Sequence, residues 1–368
     1  MTLSIDGIST PARLAEPDEA ITLDELALAA RNHAMPAEAM RYDVTPPGLH
    51  YVLVHYDIPH VDADTWRLEI HGCVEKPISL DLETLQGMPR HSSVVTMECA
   101  GNGRALLSPR PVSQPWLTGA VGTAEWTGVR LVDLLDGAGL TPDAVDVVFS
   151  GADHGFERGT EDDYRRGLSV ADATSPDVLV AYEMNGWQLP PQHGYPVRLV
   201  VPGWYGMAAV KWLRDIEVVD HEFDGFQNTV AYRLRQQPDE PGTPVTRIEP
   251  RALLVPPGSP DFMTRARALR PGVEQLEGRA WSGWGRVTAV DVSADDGRTW
   301  WQAEVGSPPG RHAWQRFTTS WEATPGEHLL RVRAHDETGR VQPVEGAWTT
   351  GGFANNADAP VRVVVLDD

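Results

Sequence analysis

The chain has 368 residues, of which 41% are hydrophobic and 23% are charged, as in globular proteins with a large core. Its net charge of −21 disfavours nucleic acids and anionic membranes as partners, because their phosphates would repel it. The two cysteines, Cys73 and Cys99, are too few for a disulfide scaffold or for a four-cysteine iron–sulfur cluster.

The N-terminal part predicts neither a leader nor a membrane span. No apolar run approaches the roughly 20 residues that cross a bilayer. The start of the chain lacks the basic segment followed by an apolar core that typifies a secretory signal. We therefore expect a cytoplasmic protein without a membrane partner, whose residues 1–45 form an extension with a helix at 23–30.

Short helices and strands alternate from residue 46 to 240, and this pattern predicts a mixed α+β domain rich in strands. The predicted helices lie at 80–85 and 129–135. The predicted strands lie at 65–70, 94–97, 145–149, 197–201 and 216–219.

A domain boundary follows, because four prolines between 238 and 250 break regular structure. Within 247–368, two alternating segments flank the dipeptide Asp296-Gly297, which is a strong signal for a β-hairpin. Further alternating segments towards the C-terminus indicate that this second domain is a β-sandwich.

The segment ECAGNGR at 98–104 is the first that could carry chemistry. Cys99 leaves a predicted strand and enters a turn with two glycines, so a bulky group can approach its sulfur. Arg104 and free backbone N–H groups would favour the thiolate, the form that attacks or binds metal. The alternative is a buried cysteine that acts as a small hydrophobic residue. Cys73 has no such setting and is interpreted as structural.

Three cationic or potentially cationic residues, His193, Arg198 and Lys211, bracket a predicted strand and a glycine-rich turn. Cationic side chains beside free backbone N–H groups are a common way to hold a phosphate. In the alternative, Arg198 extends its charge from the strand to water and Lys211 is a surface charge.

Six short segments, in order and with compatible spacing, resemble the molybdenum-cofactor domain of the sulfite oxidase family. They are ECAGNGR at 98–104, WLTGAV at 116–121, EWTGV at 125–129, AYEMNG at 181–186, HGYPVR at 193–198 and VKWL at 210–213. The segments AWSG at 280–283 and DGRTW at 296–300 resemble the Ig-like dimerisation domain of the same family. The resemblance implies an α+β molybdopterin domain followed by an Ig-like β-sandwich.

The resemblance also implies a molybdenum–molybdopterin cofactor with Cys99 as the thiolate ligand of the metal. A soft thiolate suits such a redox-active centre. The residues that would hold the pterin and its phosphate are His55, Asp153, His193, Arg198 and Lys211. The residues that would form the substrate pocket are Arg104, Trp116, Tyr232 and Arg316.

Leu53 departs from the family pattern, because it takes the place of the arginine in the family's Arg-Asn-His motif. A charged hydrogen bond contributes about 1.5–3 kcal/mol, so anion affinity should fall by roughly 10–150-fold. The tripeptide RNH does occur at 31–33. We interpret it as a chance match to the family motif. Whether it folds back near the site stays open.

The function implied by the resemblance is oxidation of sulfite to sulfate with oxygen from water. The electrons would pass to an external acceptor, a cytochrome or oxygen, since no haem domain is expected. The second domain is expected to make a homodimer. One alternative is a related molybdenum enzyme that acts on another sulfur compound, such as a sulfane, or reduces an S-oxide or nitrate. Outside enzymes, the alternative is a tryptophan-rich β-sandwich binding protein without a cofactor.

Overall fold

The computed structural model describes residues 11–367 together with Ile5 and Ser9. The predicted extension at 1–45 therefore lies partly outside the described residues. The described chain forms two β-rich units that follow one another in sequence. None of its helices has both the length and the apolar character needed to cross a bilayer.

Helix α1, Leu23–Arg31, confirms the helix predicted at 23–30. A capping box fixes its start: the Thr22 hydroxyl accepts from the Glu25 N–H, and the Glu25 carboxylate accepts from the Thr22 N–H. Beyond the helix, His33 pairs with Val52, so this segment is tied to the first unit.

The first unit holds two five-stranded sheets, one in the order β2-β1-β10-β5-β6 and the other in the order β3-β4-β7-β8 with β9 beside β7. Neighbouring strands are antiparallel except for β1 and β10. The strands are β1 Leu68–Gly72, β2 Ile78–Leu80, β3 His91–Glu98, β4 Val121–Arg130, β5 Asp146–Glu157, β6 Thr160–Ser169, β7 Leu179–Met184, β8 Trp187–Gln188, β9 Arg198–Val200 and β10 Leu213–Val219.

Three short helices accompany these sheets: α2 Leu82–Gln86, α3 Leu131–Ala138 and α4 Val170–Ala173. Helix α3 buries Leu131, Leu134, Leu135 and Ala138, the spacing expected of an amphipathic helix on a sheet. Helix α3 therefore confirms the helix predicted at 129–135, although residues 129 and 130 of the predicted range belong to β4.

The second unit is a sandwich of two sheets, in the orders β13-β16-β20-β19 and β14-β15-β22-β21-β17-β18. The small pair β11 Arg233–Leu234 and β12 Thr243–Pro244 precedes it. The strands of the sandwich are β13 Arg251–Leu254, β14 Ser259–Pro260, β15 Arg267–Leu269, β16 Gly272–Trp281, β17 Val287–Ser293, β18 Trp301–Gln302, β19 Glu304–Val305, β20 Gln315–Ala323, β21 Gly326–Asp336 and β22 Val361–Val365.

The predicted hairpin joins β17 to β18, which pair antiparallel. Asp296 and Gly297 have φ values of 63° and 80°, the left-handed backbone that tight hairpin turns require. Apolar side chains of both sheets, including Phe317 and Leu330, pack into one buried cluster between them. An α+β unit followed by a β-sandwich confirms the predicted fold class.

Candidate active site

Cys99 lies at the end of β3, where the chain turns sharply towards Arg104. Its backbone N–H donates to the Ala120 carbonyl at 2.9 Å, and its side chain is buried. A Cβ atom on Gly101 would come within 2.6 Å of the Arg104 guanidinium. Glycine at this position therefore leaves room for the Arg104 guanidinium beside the turn.

The second unit reaches this turn through the buried carboxylate of Glu98. Its two oxygens accept hydrogen bonds from Arg251 at 2.9 Å, from Trp281 at 2.8 Å and from Asn102 at 2.9 Å. Glu98 and Arg251 are only 2% and 1% exposed. A buried ion pair with these added bonds fixes the backbone on both sides of Cys99 and ties the sandwich to the site.

Burial raises the pKa of the Cys99 thiol, although Arg104 and the Gly101 N–H partly offset this effect. Arg104 and the turn N–H thus favour the thiolate in the expected direction, but burial outweighs them in the protein alone. A bound soft metal would reverse the balance, since it replaces the thiol proton.

Two cavities meet at Cys99. The inner cavity runs between the two sheets of the first unit, and the outer cavity opens towards α1 and the segment at 350–353. Leu53, His55 and Tyr232 line both cavities together with Cys99.

All five predicted pterin-binding residues line the inner cavity, and His55 also lines the outer one. Asp153 lies where β5 shifts register against β6, an irregularity that turns its side chain inward. His193 ends a short turn at Pro191–His193, and Arg198 opens β9. Gly194, with a φ of +104°, allows this turn to lie against Lys211, because a Cβ there would come within 2.9 Å of the Lys211 side chain.

The two cations of the inner cavity are held by backbone carbonyls. Lys211 Nζ donates to Leu53 at 2.8 Å and to Gln192 at 3.0 Å. Arg198 donates to the carbonyl of His193 at 3.0 Å and lies over the ring of Trp126 at 4.7 Å. Burial lowers the pKa of both cations, to about 10 for Arg198. An anionic ligand would relieve this cost of burial.

His50 is a residue of the inner cavity that the sequence analysis missed. It is fully buried, its Nδ1 lies 3.0 Å from the Tyr51 carbonyl, and its ring lies 5.3 Å from that of His193. Burial lowers the pKa of His50 to about 4 and that of His193 to about 2. His50 belongs to none of the six matching segments, so only its position in the fold reveals it.

Three buried polar atoms of the inner cavity have no hydrogen-bond partner within the described residues: His50 Nε2, His193 Nε2 and Asp153 Oδ1. Unpaired buried polar atoms are rare and costly, and they indicate a missing polar ligand. No three His, Cys, Asp or Glu side chains of the described chain form a group that could hold a bare metal ion. The residues therefore fit a group that brings its own metal ligands and many polar atoms, as molybdopterin does.

The outer cavity has a volume of about 390 Å³ and contains the predicted substrate residues Arg104, Trp116 and Tyr232. Arg104 Nε donates to the Gly351 carbonyl at 2.9 Å, and its guanidinium lies over the ring of Phe353 at 5.1 Å. Its Nη2 makes no hydrogen bond within the described residues. The guanidinium is thus fixed on one side and can bind an anion on the other.

The aromatic walls of the outer cavity are tightly buried. Trp116 and Tyr232 are 3% and 7% exposed, and Tyr232 packs against Phe353 with ring centres 5.1 Å apart. Burial raises the pKa of the Tyr232 phenol, so this group stays protonated and can donate a hydrogen bond. Such walls exclude water and strengthen charge interactions near Cys99.

His55 stands at the junction of the cavities rather than wholly inside the inner one. Its Nε2 lies 2.9 Å from Glu157 Oε2, which also accepts from Gln227 Nε2 at 3.2 Å. Glu157 lies at the end of β5, outside the matching segments, so no sequence motif indicates this carboxylate.

The RNH tripeptide at 31–33 does fold back beside the site, but it supports the backbone. Arg31 donates to the carbonyls of Val54 and Tyr56, and Asn32 accepts from the Val54 N–H at 2.7 Å. Arg31 lines neither cavity, so it does not replace the arginine that Leu53 displaces.

Arg316 lies outside both cavities, which corrects the prediction that it enters the substrate pocket. Side chains alternate along β20, so Gln315 is buried while Arg316 points to solvent and pairs with Glu277. Its side chain is about half exposed, at 53%. The segment at 313–317 resembles that of the family, but the pleat of the strand decides which residue points inward.

Comparisons with known proteins agree with this geometry. A family model described as an oxidoreductase molybdopterin binding domain matches residues 55–227, and one described as a Mo-co oxidoreductase dimerisation domain matches residues 252–365. Sulfite oxidase from Gallus gallus is 37% identical over 89% of this chain and 74% of its own length. Mitochondrial sulfite oxidase from Homo sapiens is 33% identical over 88% of this chain.

Some relatives are longer or have a different activity. The chain spans 62% of the human enzyme, and 40% of an NADH nitrate reductase from Volvox carteri that is 31% identical to it. The solved structure of the sulfane dehydrogenase SoxCD from Paracoccus pantotrophus covers 97% of this chain, with a TM-score of 0.79 and 27% identity. The chain belongs to the sulfite oxidase family of molybdopterin-dependent oxidoreductases.

Proposed function

We propose that this molybdenum oxidoreductase oxidises a sulfur oxyanion, with sulfite as the simplest substrate and with oxygen from water. The observation that carries the proposal is the Arg104 guanidinium, which is buried, lines the outer cavity together with Cys99 and makes no hydrogen bond through Nη2 within the described residues. The similarity to sulfite oxidases supports the same reaction. When bound, the cofactor supplies two-electron oxygen-atom transfer next to the Cys99 sulfur.

The residues of the chain then have separate tasks. Arg104 binds and orients the anion, and its fixed position means that little reorganisation is needed when charge shifts during the reaction. Tyr232 donates a hydrogen bond to an oxygen atom in the outer cavity. Trp116 excludes water, while the residues of the inner cavity hold the pterin and its phosphate.

A second candidate is oxidation of another sulfur compound, such as a sulfane. Leu53 removes one cation from the expected anion site, and this loss disfavours a small, doubly charged substrate more than a singly charged one. The structural similarity to a sulfane dehydrogenase supports this candidate.

The proposed partners are an external electron acceptor and a second copy of the chain. With a net charge of −21, the surface suits a basic cytochrome, and oxygen is the alternative acceptor. The match to a dimerisation domain over residues 252–365 supports a homodimer formed by the sandwich.

The test is sulfite-dependent reduction of ferricyanide, with each rate divided by the molybdenum content of the same sample. Saturable turnover that disappears in Cys99→Ser would support sulfite oxidation. Fully loaded protein that does not oxidise sulfite would overturn sulfite as substrate. The same assay with thiosulfate and with organic persulfides then tests the second candidate.

A further inference from the structure

A second chamber of about 200 Å³ adjoins the outer cavity and opens to the surface. The two share Arg13, Arg158 and Phe353 among their walls, and the outer cavity in turn reaches Cys99. Four arginines line this chamber, and we call it the arginine vestibule: Arg13, Arg158, Arg233 and Arg235.

Two arginines of the vestibule, Arg233 and Arg235, have no carboxylate partner within the described residues. Arg233 donates to the carbonyls of Pro241 and Gly242, at 2.9 and 2.6 Å. Arg235 likewise donates to backbone carbonyls only, including that of Glu240 at 2.7 Å. Neither forms a salt bridge within the described residues. Arg233 and Arg235 therefore give the vestibule a local positive charge in a chain whose net charge is −21.

The remaining two arginines are held at the rim of the vestibule. Arg13 pairs with Glu19, at 2.7 and 2.9 Å. Arg158 lies 3.8 Å from Glu157 and has a φ of 51°, a left-handed backbone that usually favours glycine or asparagine. An arginine therefore occupies a strained turn position between β5 and β6, where its side chain lines the path to Cys99.

The outer cavity extends from Cys99 to the vestibule and measures about 390 Å³. The metal end of the cofactor would take the part of this volume beside Cys99, so the part towards Pro111 and Phe156 is the one that a substrate chain could cross. Its walls combine apolar side chains, Pro111, Val112 and Phe156 among them, with polar ones such as Gln114 and Glu157.

We propose that the preferred substrate carries its sulfur group on an organic chain that ends in a second anionic group. The sulfur end would bind Arg104 beside Cys99, the chain would cross the outer cavity along Pro111, Val112 and Phe156, and the second anion would bind Arg233 and Arg235. This inference rests on the proposed function and names the substrate class of the same site.

An organic sulfinate is the simplest such compound, because its sulfur has an unshared electron pair and its oxygens carry a single charge. The reaction is R–SO₂⁻ + H₂O → R–SO₃⁻ + 2 H⁺ + 2 e⁻. One S–O bond forms, both O–H bonds of the water break, and the C–S bond stays intact. The protons go to solvent, and the two electrons reduce two equivalents of ferricyanide.

The experiment compares ω-carboxyalkanesulfinates of two to six methylenes with alkanesulfinates of the same length, using the molybdenum-loaded enzyme. We expect at least one chain length at which the carboxylate lowers KM about tenfold or more, the effect of one charged hydrogen bond. In the double variant Arg233→Gln/Arg235→Gln, the ratio of the two KM values should fall towards one. The control Arg270→Gln/Arg362→Gln removes two exposed arginines of the sandwich and should keep the ratio.

Titration calorimetry with the corresponding sulfonates supplies a readout independent of turnover. The dianionic sulfonate should bind about tenfold tighter than the monoanionic one, and the double variant should lose this difference. Equal KM and equal affinity of both series at every length would overturn the inference. So would a double variant that raises the KM of sulfite by the same factor, since the arginines would then only attract anions from a distance. If the loaded enzyme oxidises no sulfur oxyanion, the proposed function fails. The difference in calorimetric affinity then tests by itself whether Arg233 and Arg235 bind the second anion.

Discussion

The inner and outer cavities meet at one sulfur atom but are built in different ways. The inner cavity is lined by buried polar side chains of the two central sheets and of the loops beside them, and three of these side chains leave an atom without a partner within the described residues. The outer cavity collects residues from distant segments: the start of the described chain, the end of β5, the turn at Ala231 and Tyr232, and the segment at 350–353. The comparison suggests that the core of the fold specifies the cofactor and that the peripheral segments specify the substrate.

The largest effect is expected at Cys99, the residue that both cavities share. Cys99→Ser should lower turnover by more than about 100-fold, beyond the usual cost of removing a supporting residue around a metal. The measurement is ferricyanide reduction together with molybdenum analysis. Cys73→Ser is the matched control, since Cys73 is distant from both cavities and should affect stability alone. Equal activity losses in the two variants would contradict the assignment.

The next effect concerns the Glu98 carboxylate, which ties the sandwich to the inner cavity. Glu98→Ala leaves Arg251 buried and unpaired, so the free energy of unfolding should fall by about 3–5 kcal/mol. Urea denaturation of the cofactor-free protein measures this. Glu277→Ala breaks the exposed pair with Arg316 and should cost about 0–1 kcal/mol. Similar urea midpoints for the two variants would mean that Glu98 does not hold the site.

A pH dependence should distinguish the inner cavity from the rest of the protein. Burial keeps His50 and His193 neutral in the folded state, with pKa values of about 4 and about 2, whereas both have a pKa near 6.5 when unfolded. The unfolded chain therefore binds more protons below pH 6.5, and stability falls as the pH falls. Between pH 7 and pH 5 each histidine should remove about 2 kcal/mol from the free energy of unfolding.

The measurement is urea denaturation of the cofactor-free protein at several pH values. His193→Gln should remove about half of the loss attributed to the two histidines. An unchanged slope in this variant would show that His193 is not buried as a neutral group.

The smallest predicted effect lies in the outer cavity. Arg104→Gln removes a charged hydrogen bond to the substrate, so the KM for sulfite should rise by roughly 10–100-fold. Arg316→Gln is the control and should leave the KM unchanged, because Arg316 lies outside both cavities. Steady-state kinetics at fixed molybdenum content would contradict this placement if Arg316→Gln raised the KM as strongly as Arg104→Gln.

The sequence predicts the fold class and most of the inner cavity because those residues lie in short ordered segments around strand ends. His193, Arg198 and Lys211 come together because the turn before β9 ends at Gly194, which lies directly against Lys211. His50 escapes prediction, because it reaches the cavity through a loop whose path depends on tertiary packing alone.

The outer cavity is harder to predict for two physical reasons. The contact of Arg104 with Gly351 and Phe353 joins residues almost 250 positions apart in the sequence. No local sequence pattern indicates a contact between residues so far apart. The prediction that Arg316 enters the substrate pocket is wrong because a shift of one residue along a strand reverses the face on which a side chain lies. Glu157 and the arginine vestibule are also outside every matching segment.

The most direct test of the division between the two cavities measures molybdenum per protein and sulfite turnover per molybdenum in the same samples. Lys211→Gln should lose most of its molybdenum, with a much smaller change in kcat/KM per molybdenum. Arg104→Gln should keep its molybdenum and lose at least about tenfold in kcat/KM per molybdenum. If both variants lost molybdenum and turnover in the same proportion, the inner and outer cavities would not have separate roles.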